Sequence, residues 1–179
     1  RGLGDVYKRQ ALSKFTVTYD SEAEGWQIDS PYEDASMEKT SCGLYPYLFI
    51  TNDDPTVYLS LGMTYFGNKK LDMKSVRVET DKNYYDFTCD DQFDGGYDND
   101  LKAWFDYELF DMDDETSWLN EWLAAKSVTA TFTGRDGSTK TYTLTKDNLQ
   151  AIRDILNVYD TLLGSDVSTA RVVLRSLVK

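Results

Sequence analysis

The sequence predicts a single α+β domain in which antiparallel, β-sandwich-like sheets are followed by two or three helices toward the C-terminus. Two observations predict this class. Apolar and polar residues alternate with a period of two through the first two thirds of the chain, as they do in half-buried strands. In the last third, apolar residues recur every three or four positions, which is the spacing of amphipathic helices.

The first strands are predicted over residues 15–19 and 26–28, where aromatic and aliphatic residues alternate with polar ones. Residues 44–50 and 56–66 are rich in Tyr, Leu and Phe. The turn-forming residues 52–55 separate these two runs, so we expect them to pair as a hairpin.

Three further strand regions follow. Residues 74–79 and 84–89 lie on either side of the Asp81-Lys82-Asn83 turn, and residues 101–110 are predicted to form another strand. A later hairpin is predicted over residues 128–144, because Asp136-Gly137 is a strong turn signal between two alternating runs.

Two helices are predicted from their caps and their apolar spacing. Asp113, Asp114, Glu115 and Thr116 place carboxylates and a hydroxyl before an apolar face that runs from Trp118 to Leu123, so we expect side-chain capping there. Thr145 is predicted to cap the second helix, and Gly164 to end it. The inward face of this second helix is predicted to comprise Leu149, Ile152, Leu156, Tyr159 and Leu163.

The last segment, residues 165–179, differs in charge from the rest of the chain. Val167, Ala170, Leu174 and Leu177 fit one helical face, and three basic residues recur every four positions on another. Three interpretations stay open: a third helix docked on the acidic body, a basic amphipathic docking helix, or a cloning artefact. We therefore expect one domain over residues 11–164, with residues 165–179 as a basic amphipathic C-terminal segment.

The first ten residues, RGLGDVYKRQ, resemble the in-frame translation of a sequencing-library adapter that ends in a transposon mosaic end. This resemblance implies that residues 1–10 are a non-native leader, that the chain comes from a metagenomic read, and that the native start is missing. We exclude such a segment from fold reasoning. The leader carries three basic residues and one acidic residue, so the net charge becomes −14 without it, compared with −12 for the whole chain.

This acidic charge and the absence of histidine exclude several functional classes. A strongly negative surface repels nucleic acid and favours cations or basic protein partners. Without histidine there is no Ser-His-Asp triad, no Cys-His pair and no histidine-bound zinc. The longest apolar stretch, Leu44 to Ile50, is too short for a transmembrane segment, and neither a P-loop nor a GxGxxG motif is present.

Two cysteines, Cys42 and Cys89, lie at the ends of predicted strands. An exported protein would allow them to form one disulfide closing a long loop, with a stabilisation of roughly 4 kcal/mol in the chain-entropy account. In a cytosolic protein they would be two buried thiols. The sequence leaves both alternatives open.

The stretch from Asp90 to Asp100 holds five aspartates and two glycines in eleven residues. Oxygen-rich loops of this kind suit calcium, which takes six to eight oxygen ligands. The stretch imitates the opening of an EF-hand loop, but Leu101 stands where that loop has a bidentate glutamate. The alternatives are a solvated loop and a calcium loop, whose candidate ligands would be Asp90, Asp91, Asp94, Asp98 and Asp100. We expect no other cofactor.

Aromatic residues flank this acidic stretch. Exposed aromatic rings stack on sugars or anchor protein interfaces, whereas inward-facing rings belong to the core. The candidate ligand-facing aromatics are Tyr84, Tyr97, Trp104 and Tyr107.

From Lys74 onward the order of elements resembles that of a known type of bacterial domain. A strand at Ser75–Glu79 and a second strand precede the helix with Trp118–Leu123, the run AAKSVTATF, a glycine-containing hairpin and a helix ending near Tyr159. This order resembles small β-sandwich domains with appended helices in exported proteins and lipoproteins, of the broad invasion-associated locus B-like type. The resemblance covers about half of the chain. It implies an extracytoplasmic setting and no known catalytic residues.

Three functional hypotheses follow. The first is a non-enzymatic bacterial module, extracytoplasmic or tethered at the cell surface, that binds a protein or a glycan. The second is an acidic intracellular binding protein of the immunity type that neutralises a basic partner. The third is a carboxylate- or calcium-dependent enzyme. The oligomeric state is not predicted.

Overall fold

The computed structural model describes residues 10–32, 41–53, 56–90, 94–163 and 167–178, and it confirms the predicted α+β class. Within these ranges, ten strands form two antiparallel sheets, and the helices follow in the C-terminal half of the chain, apart from a helical turn at residues 10–12. The strands are β1 Thr16–Asp20, β2 Gly25–Asp29, β3 Gly43–Thr51, β4 Val57–Gly67, β5 Met73–Thr80, β6 Tyr84–Thr88, β7 Asp94–Asp98, β8 Ala103–Asp111, β9 Val128–Gly134 and β10 Thr139–Thr143. The helices are α1 Thr116–Ala124, α2 Lys146–Leu163 and α3 Val167–Arg175.

The chain passes back and forth between the two sheets. Sheet A has the strand order β1-β2-β3-β4-β8-β7, and sheet B has the order β10-β9-β5-β6. The chain leaves sheet A after β4, forms β5 and β6 of sheet B, and returns for β7 and β8. It then crosses through α1 and completes sheet B with β9 and β10.

The predicted hairpins are confirmed. In β3 and β4, Leu48 lies opposite Leu59, and their side chains are 0 and 1 % exposed. In sheet B, Val76 and Val78 of β5 lie opposite Phe87 and Tyr85 of β6, and all four are buried. These inward residues of both sheets belong to one hydrophobic cluster, so the period-two pattern of the sequence marks the core side of each strand.

The turn between β9 and β10 is also confirmed. Gly137 has a φ of +83°, which favours glycine, and its N–H donates to the Gly134 carbonyl at 3.0 Å. The tip of the β3–β4 turn at Asp54 and Pro55 lies outside the described residues.

The start of α1 differs from the prediction in its capping. The helix begins at Thr116 as expected, but its N-cap residue, Glu115, makes no side-chain cap hydrogen bond. The Asp113 carboxylate is instead engaged with β4, where it accepts the Leu59 N–H at 2.7 Å. The Asp113 carboxylate, which the sequence predicted to cap α1, therefore binds the backbone of β4 instead.

Helix α2 begins as predicted. The Asn148 N–H donates to Thr145 Oγ1 at 3.2 Å, while the Thr145 N–H donates to Asn148 Oδ1 at 3.1 Å, so the two residues cap the helix reciprocally. The helix packs mainly on β3. The prediction that Leu163 faces inward is wrong: it is 55 % exposed, because Leu162 takes the core position in the last turn.

Helix α3 packs against the body of the domain. Ala170, Val173 and Leu174 are buried in the same core as the sheets. Arg171 Nε donates to the Thr51 carbonyl at 3.1 Å, and the Arg175 guanidinium lies 5.7 Å from the centre of the Trp26 ring. Among the described residues, no helix has the length and apolar character required to cross a membrane.

Candidate functional site

The outer face of sheet B, which points away from the core, carries polar side chains in ordered rows. Inward residues such as Val76 and Val78 alternate along each strand with outward polar residues. Registers between the strands align these outward residues in rows across the face. The rows are Thr88-Ser75-Thr133-Thr139, Asp86-Arg77-Thr131-Thr141 and Tyr84-Glu79-Thr129-Thr143.

Arg77 organises the centre of this face. Its Nε donates to Asp86 Oδ1 at 2.6 Å and its terminal nitrogen donates to Asp86 Oδ2 at 2.8 Å, which is a bidentate pair across β5 and β6. The hydrogen bonds to Arg77 lower the pKa of Asp86, and those to Asp86 raise the pKa of Arg77. The Asp86 carboxylate and the Arg77 guanidinium therefore both remain charged at neutral pH.

Tyr84 extends the Arg77 cluster at the exposed end of β6. Its side chain is 61 % exposed, and the Arg77 guanidinium lies 4.5 Å from the centre of its ring. The guanidinium is therefore held between a carboxylate and an aromatic ring, which restricts the rotamers of all three side chains.

A shallow depression of about 520 Å³ lies beside this cluster. Hydroxyl groups from Ser75, Thr88, Thr131 and Thr133 line it, together with the charged groups of Arg77, Glu79 and Asp86. The face thus combines ordered hydrogen-bond donors and acceptors with one exposed aromatic ring.

Local structure holds β6 and its turn in position. Thr80 Oγ1 accepts the N–H groups of Lys82 and Asn83, at 3.2 and 3.0 Å. On the inner side of β6, the hydroxyl of Tyr85 donates to Glu121 of α1 in a short hydrogen bond, and burial raises the pKa of Tyr85 to about 12. The outward Tyr84 and Asp86 therefore project from a strand that is fixed on its other face.

The inner side of β6 packs against α1 through aromatic rings. Tyr85 and Phe87 lie 5.7 and 6.2 Å from Trp122 between ring centres, in edge-to-face arrangements. In the described part of the chain, the buried Trp122 Nε1 has no hydrogen-bond acceptor. These rings belong to the core, as expected for the apolar face of α1.

The four aromatic residues proposed as ligand-facing occupy three different surfaces. Tyr84 lies on sheet B. Tyr97 and Trp104 pair across β7 and β8 of sheet A, with ring centres 5.3 Å apart. Tyr107 is three residues from Trp104 in the same strand and so projects from the opposite face, where its ring lies over Gly62.

The acidic stretch contains a strand that the sequence did not predict. Residues 94–98 form β7, which pairs with β8 at the edge of sheet A. Asp98 Oδ1 accepts the N–H groups of Asp100 and Leu101 at 2.9 and 2.8 Å and so closes the turn after β7. The interpretation of this part of the stretch as a loop is therefore wrong.

The candidate calcium ligands are only partly described. Asp91 lies outside the described residues, Asp94 projects from the exposed strand β7, and the Asp90 N–H donates to Glu108 Oε2 at 3.3 Å. Within residues 94–163 and the other described ranges, no group of three or more acidic or cysteine side chains is arranged to hold a metal ion.

Both cysteines are buried free thiols in the structure. The Cys42 thiol accepts the Phe66 N–H at 3.4 Å, and burial raises its pKa. Burial, followed by the carboxylate of Glu108, raises the pKa of Cys89 to about 12. Of the two alternatives for this pair, the structure contains the two thiols rather than the disulfide.

Sequence reasoning missed the pairing of Arg77 with Asp86. The signal was available, because a tight turn centred on Asp81 and Lys82 aligns residues 77 and 86 across the hairpin. It also missed the Asp113 carboxylate, which accepts both the Leu59 N–H and, at 3.3 Å, the Tyr159 hydroxyl. No local sequence pattern indicates that Asp113 connects β4 with α2 in this way.

The chain matches no protein-family model, and neither the curated proteins nor the solved structures include a significant match to it.

Proposed function

We propose that this chain is a non-enzymatic bacterial binding module, extracytoplasmic or tethered at the cell surface, that binds a glycan on the outer face of sheet B. The observation that carries the proposal is the exposed Tyr84 ring, stacked on an Arg77 that forms a bidentate pair with Asp86 beside a hydroxyl-lined depression.

The chemistry of this face fits a sugar better than a flat protein surface. A sugar ring presents a patch of C–H groups that packs on an aromatic ring, and hydroxyls that need both donors and acceptors. Tyr84 offers the ring, and Arg77 and Asp86 offer donors and acceptors whose positions their pairing fixes, while Glu79 lines the same depression. Such preorganisation lowers the entropy cost of binding.

The same geometry supports a binding role rather than a catalytic one. The charges of Arg77 and Asp86 neutralise each other, so neither is poised to transfer a proton or to attack a substrate. The extracytoplasmic setting is supported by the resemblance of the second half of the chain to domains of exported proteins.

The test is titration with neutral oligosaccharides of glucose, N-acetylglucosamine and mannose, followed by amide NMR shifts and calorimetry. We expect shifts on β5, β6 and β9 and a loss of affinity of at least about tenfold, equivalent to about 1.4 kcal/mol, in Tyr84→Ala. Arg77→Lys should also weaken binding, because lysine keeps the charge but cannot form the bidentate pair.

Tyr97→Ala is the matched control, since Tyr97 is an exposed tyrosine on the other sheet. Equal loss of affinity in both tyrosine variants, or shifts confined to sheet A, would exclude the outer face of sheet B as the site. Absence of binding to every oligosaccharide would remove the glycan proposal.

The second candidate is an acidic intracellular binding protein of the immunity type, favoured by the net charge of −12. The genomic sequence upstream of the gene and around it discriminates between the two candidates. An upstream signal peptide supports the surface module, whereas a plain cytosolic start beside a gene for a basic toxin supports the second candidate.

A further inference from the structure

The free edge of β7 is a second surface with binding chemistry, separate from sheet B. β7 is the last strand of sheet A and pairs with β8 along one side. Across the described ranges of the chain, no other strand pairs with it. Asp94, Gly95 and Tyr97 are exposed, so the backbone of this edge is accessible.

The glycine at position 96 has no role in the packing of the domain. Its φ is not positive, and a Cβ built there would meet only Phe105 Cε1, at an ordinary 3.8 Å. The fold would therefore tolerate a side chain at this position. Glycines in an edge strand leave room for another backbone to approach closely.

The negative charge on this edge favours a basic partner. Asp94 and Asp98 flank the two glycines, and Asp90 and Asp100 lie just beyond the ends of the strand. A second copy of this chain, also at −12, is repelled from such an edge, which is how acidic side chains protect edge strands from self-pairing. A basic segment is attracted by the same charges.

Side chains beside the edge provide apolar contact. The Tyr97 ring is 47 % exposed and is held edge-to-face against Trp104. A strand added to β7 would place alternate side chains on this face, next to the aromatic pair. We propose that the free edge of β7 accepts an extended basic segment of a partner protein as an additional antiparallel or parallel strand.

The probe is a capped ten-residue peptide in which Lys alternates with Val or Thr. We expect binding that weakens at least tenfold between 50 and 300 mM NaCl, with amide shifts centred on Gly95, Gly96 and Tyr97. The same peptide with Glu in place of Lys should not bind. A version with a central proline should bind at least tenfold more weakly, because it cannot continue the ladder.

Variants of the chain test the edge directly. In an edge strand, proline is tolerated where the N–H points to solvent, so one of Gly95→Pro and Gly96→Pro should keep the β7–β8 pairing and abolish peptide binding. Gly96→Ala is the matched control, because it keeps the backbone N–H and the fold tolerates its Cβ. It should bind the peptide more tightly than the proline variants and more weakly than the wild type, since its Cβ occupies part of the room that the glycine leaves. Tyr84→Ala should bind the peptide normally, so failure of this proposal is distinguishable from failure of the glycan proposal.

Three outcomes would overturn the proposal: no binding of the basic peptide, equal binding of its proline version, or shifts centred on other acidic residues. If both proline variants unfold, the shift map and the proline peptide still decide the question. A concentration-dependent dimer that is lost in the folded proline variant would assign the edge to a second copy of the chain instead.

Discussion

Asp113 connects three elements through a single carboxylate. It follows β8, accepts the Leu59 N–H of β4 at 2.7 Å and accepts the Tyr159 hydroxyl of α2 at 3.3 Å. Burial, and after it the neighbouring Asp111 carboxylate, raises the pKa of Asp113. Because the folded-state pKa is raised, ionisation of Asp113 lowers stability at neutral pH, and this cost disappears as pH falls below the pKa of the unfolded chain.

Substitutions at Asp113 therefore separate its hydrogen bonds from its charge. Asp113→Asn keeps an acceptor for Leu59 and removes the repulsion with Asp111, so its stability at pH 7 should equal or exceed that of the wild type. Asp113→Ala leaves the Leu59 N–H without its acceptor and should cost about 1–3 kcal/mol. Urea unfolding at pH 7 and at pH 3.5 measures both effects.

The advantage of Asp113→Asn over the wild type should shrink at pH 3.5, where Asp113 is increasingly protonated. The exposed neighbour Asp114 provides the control, and Asp114→Asn should change the unfolding free energy little. A large loss of stability in Asp113→Asn at pH 7 would mean that the charged hydrogen bonds outweigh the cost of burying the carboxylate.

At the scale of elements, α3 can be tested by two substitutions on opposite faces of the helix. Leu174 is fully buried in the core, whereas Val172 on the same helix is 65 % exposed. Leu174→Ala should lower the unfolding free energy by about 2–5 kcal/mol, because it leaves a cavity. Val172→Ala should change it by less than about 0.5 kcal/mol.

The same pair discriminates among the three interpretations of the C-terminal segment. If α3 is docked on the body of the domain, urea unfolding should show a much larger loss of unfolding free energy for Leu174→Ala than for Val172→Ala. Equal and small effects would contradict the packing of α3 on the core and would leave the docking-helix and artefact interpretations.

Elements that a local pattern encodes were predictable from the sequence. Val76 and Val78 alternate with charged residues, which was sufficient to predict β5 and its inward face. β7 was missed because Asp-Gly-Gly-Tyr-Asp has low strand propensity and its pairing with β8 comes from tertiary context. The strand order, which places β5 beside β9, also depends on contacts between distant segments.

The candidate site was predictable only in part. Tyr84 was identified from the sequence because it is one of the aromatic residues that flank the acidic stretch. In the structure Tyr84 packs on Arg77, which pairs with Asp86. That pair could be predicted only from the register of the β5–β6 hairpin. Side chains that act together across strands are thus harder to predict than the strands that carry them.

At the scale of the whole molecule, net charge dominates the electrostatics. The chain has a formal charge of −12 at pH 7, and repulsion among like charges destabilises a compact state. In the described residues, the ion pairs are Lys14–Asp154, Lys70–Asp72 and Arg77–Asp86, and most of their side chains are substantially exposed. Exposed pairs contribute little to stability, so screening should relieve more repulsion than it removes attraction.

We therefore expect the melting temperature at pH 7 to rise with NaCl between 10 mM and 1 M, as the Debye length falls from about 30 to about 3 Å. A gain of 1 kcal/mol corresponds to a rise of about 2–4 °C for a domain of this size. The control is the same titration near pH 4.4, the isoelectric point, where the repulsion is largely neutralised and the salt effect should be small. A melting temperature that falls with salt at pH 7 would mean that the three ion pairs outweigh the excess negative charge, and that the acidic surface stabilises the fold rather than straining it.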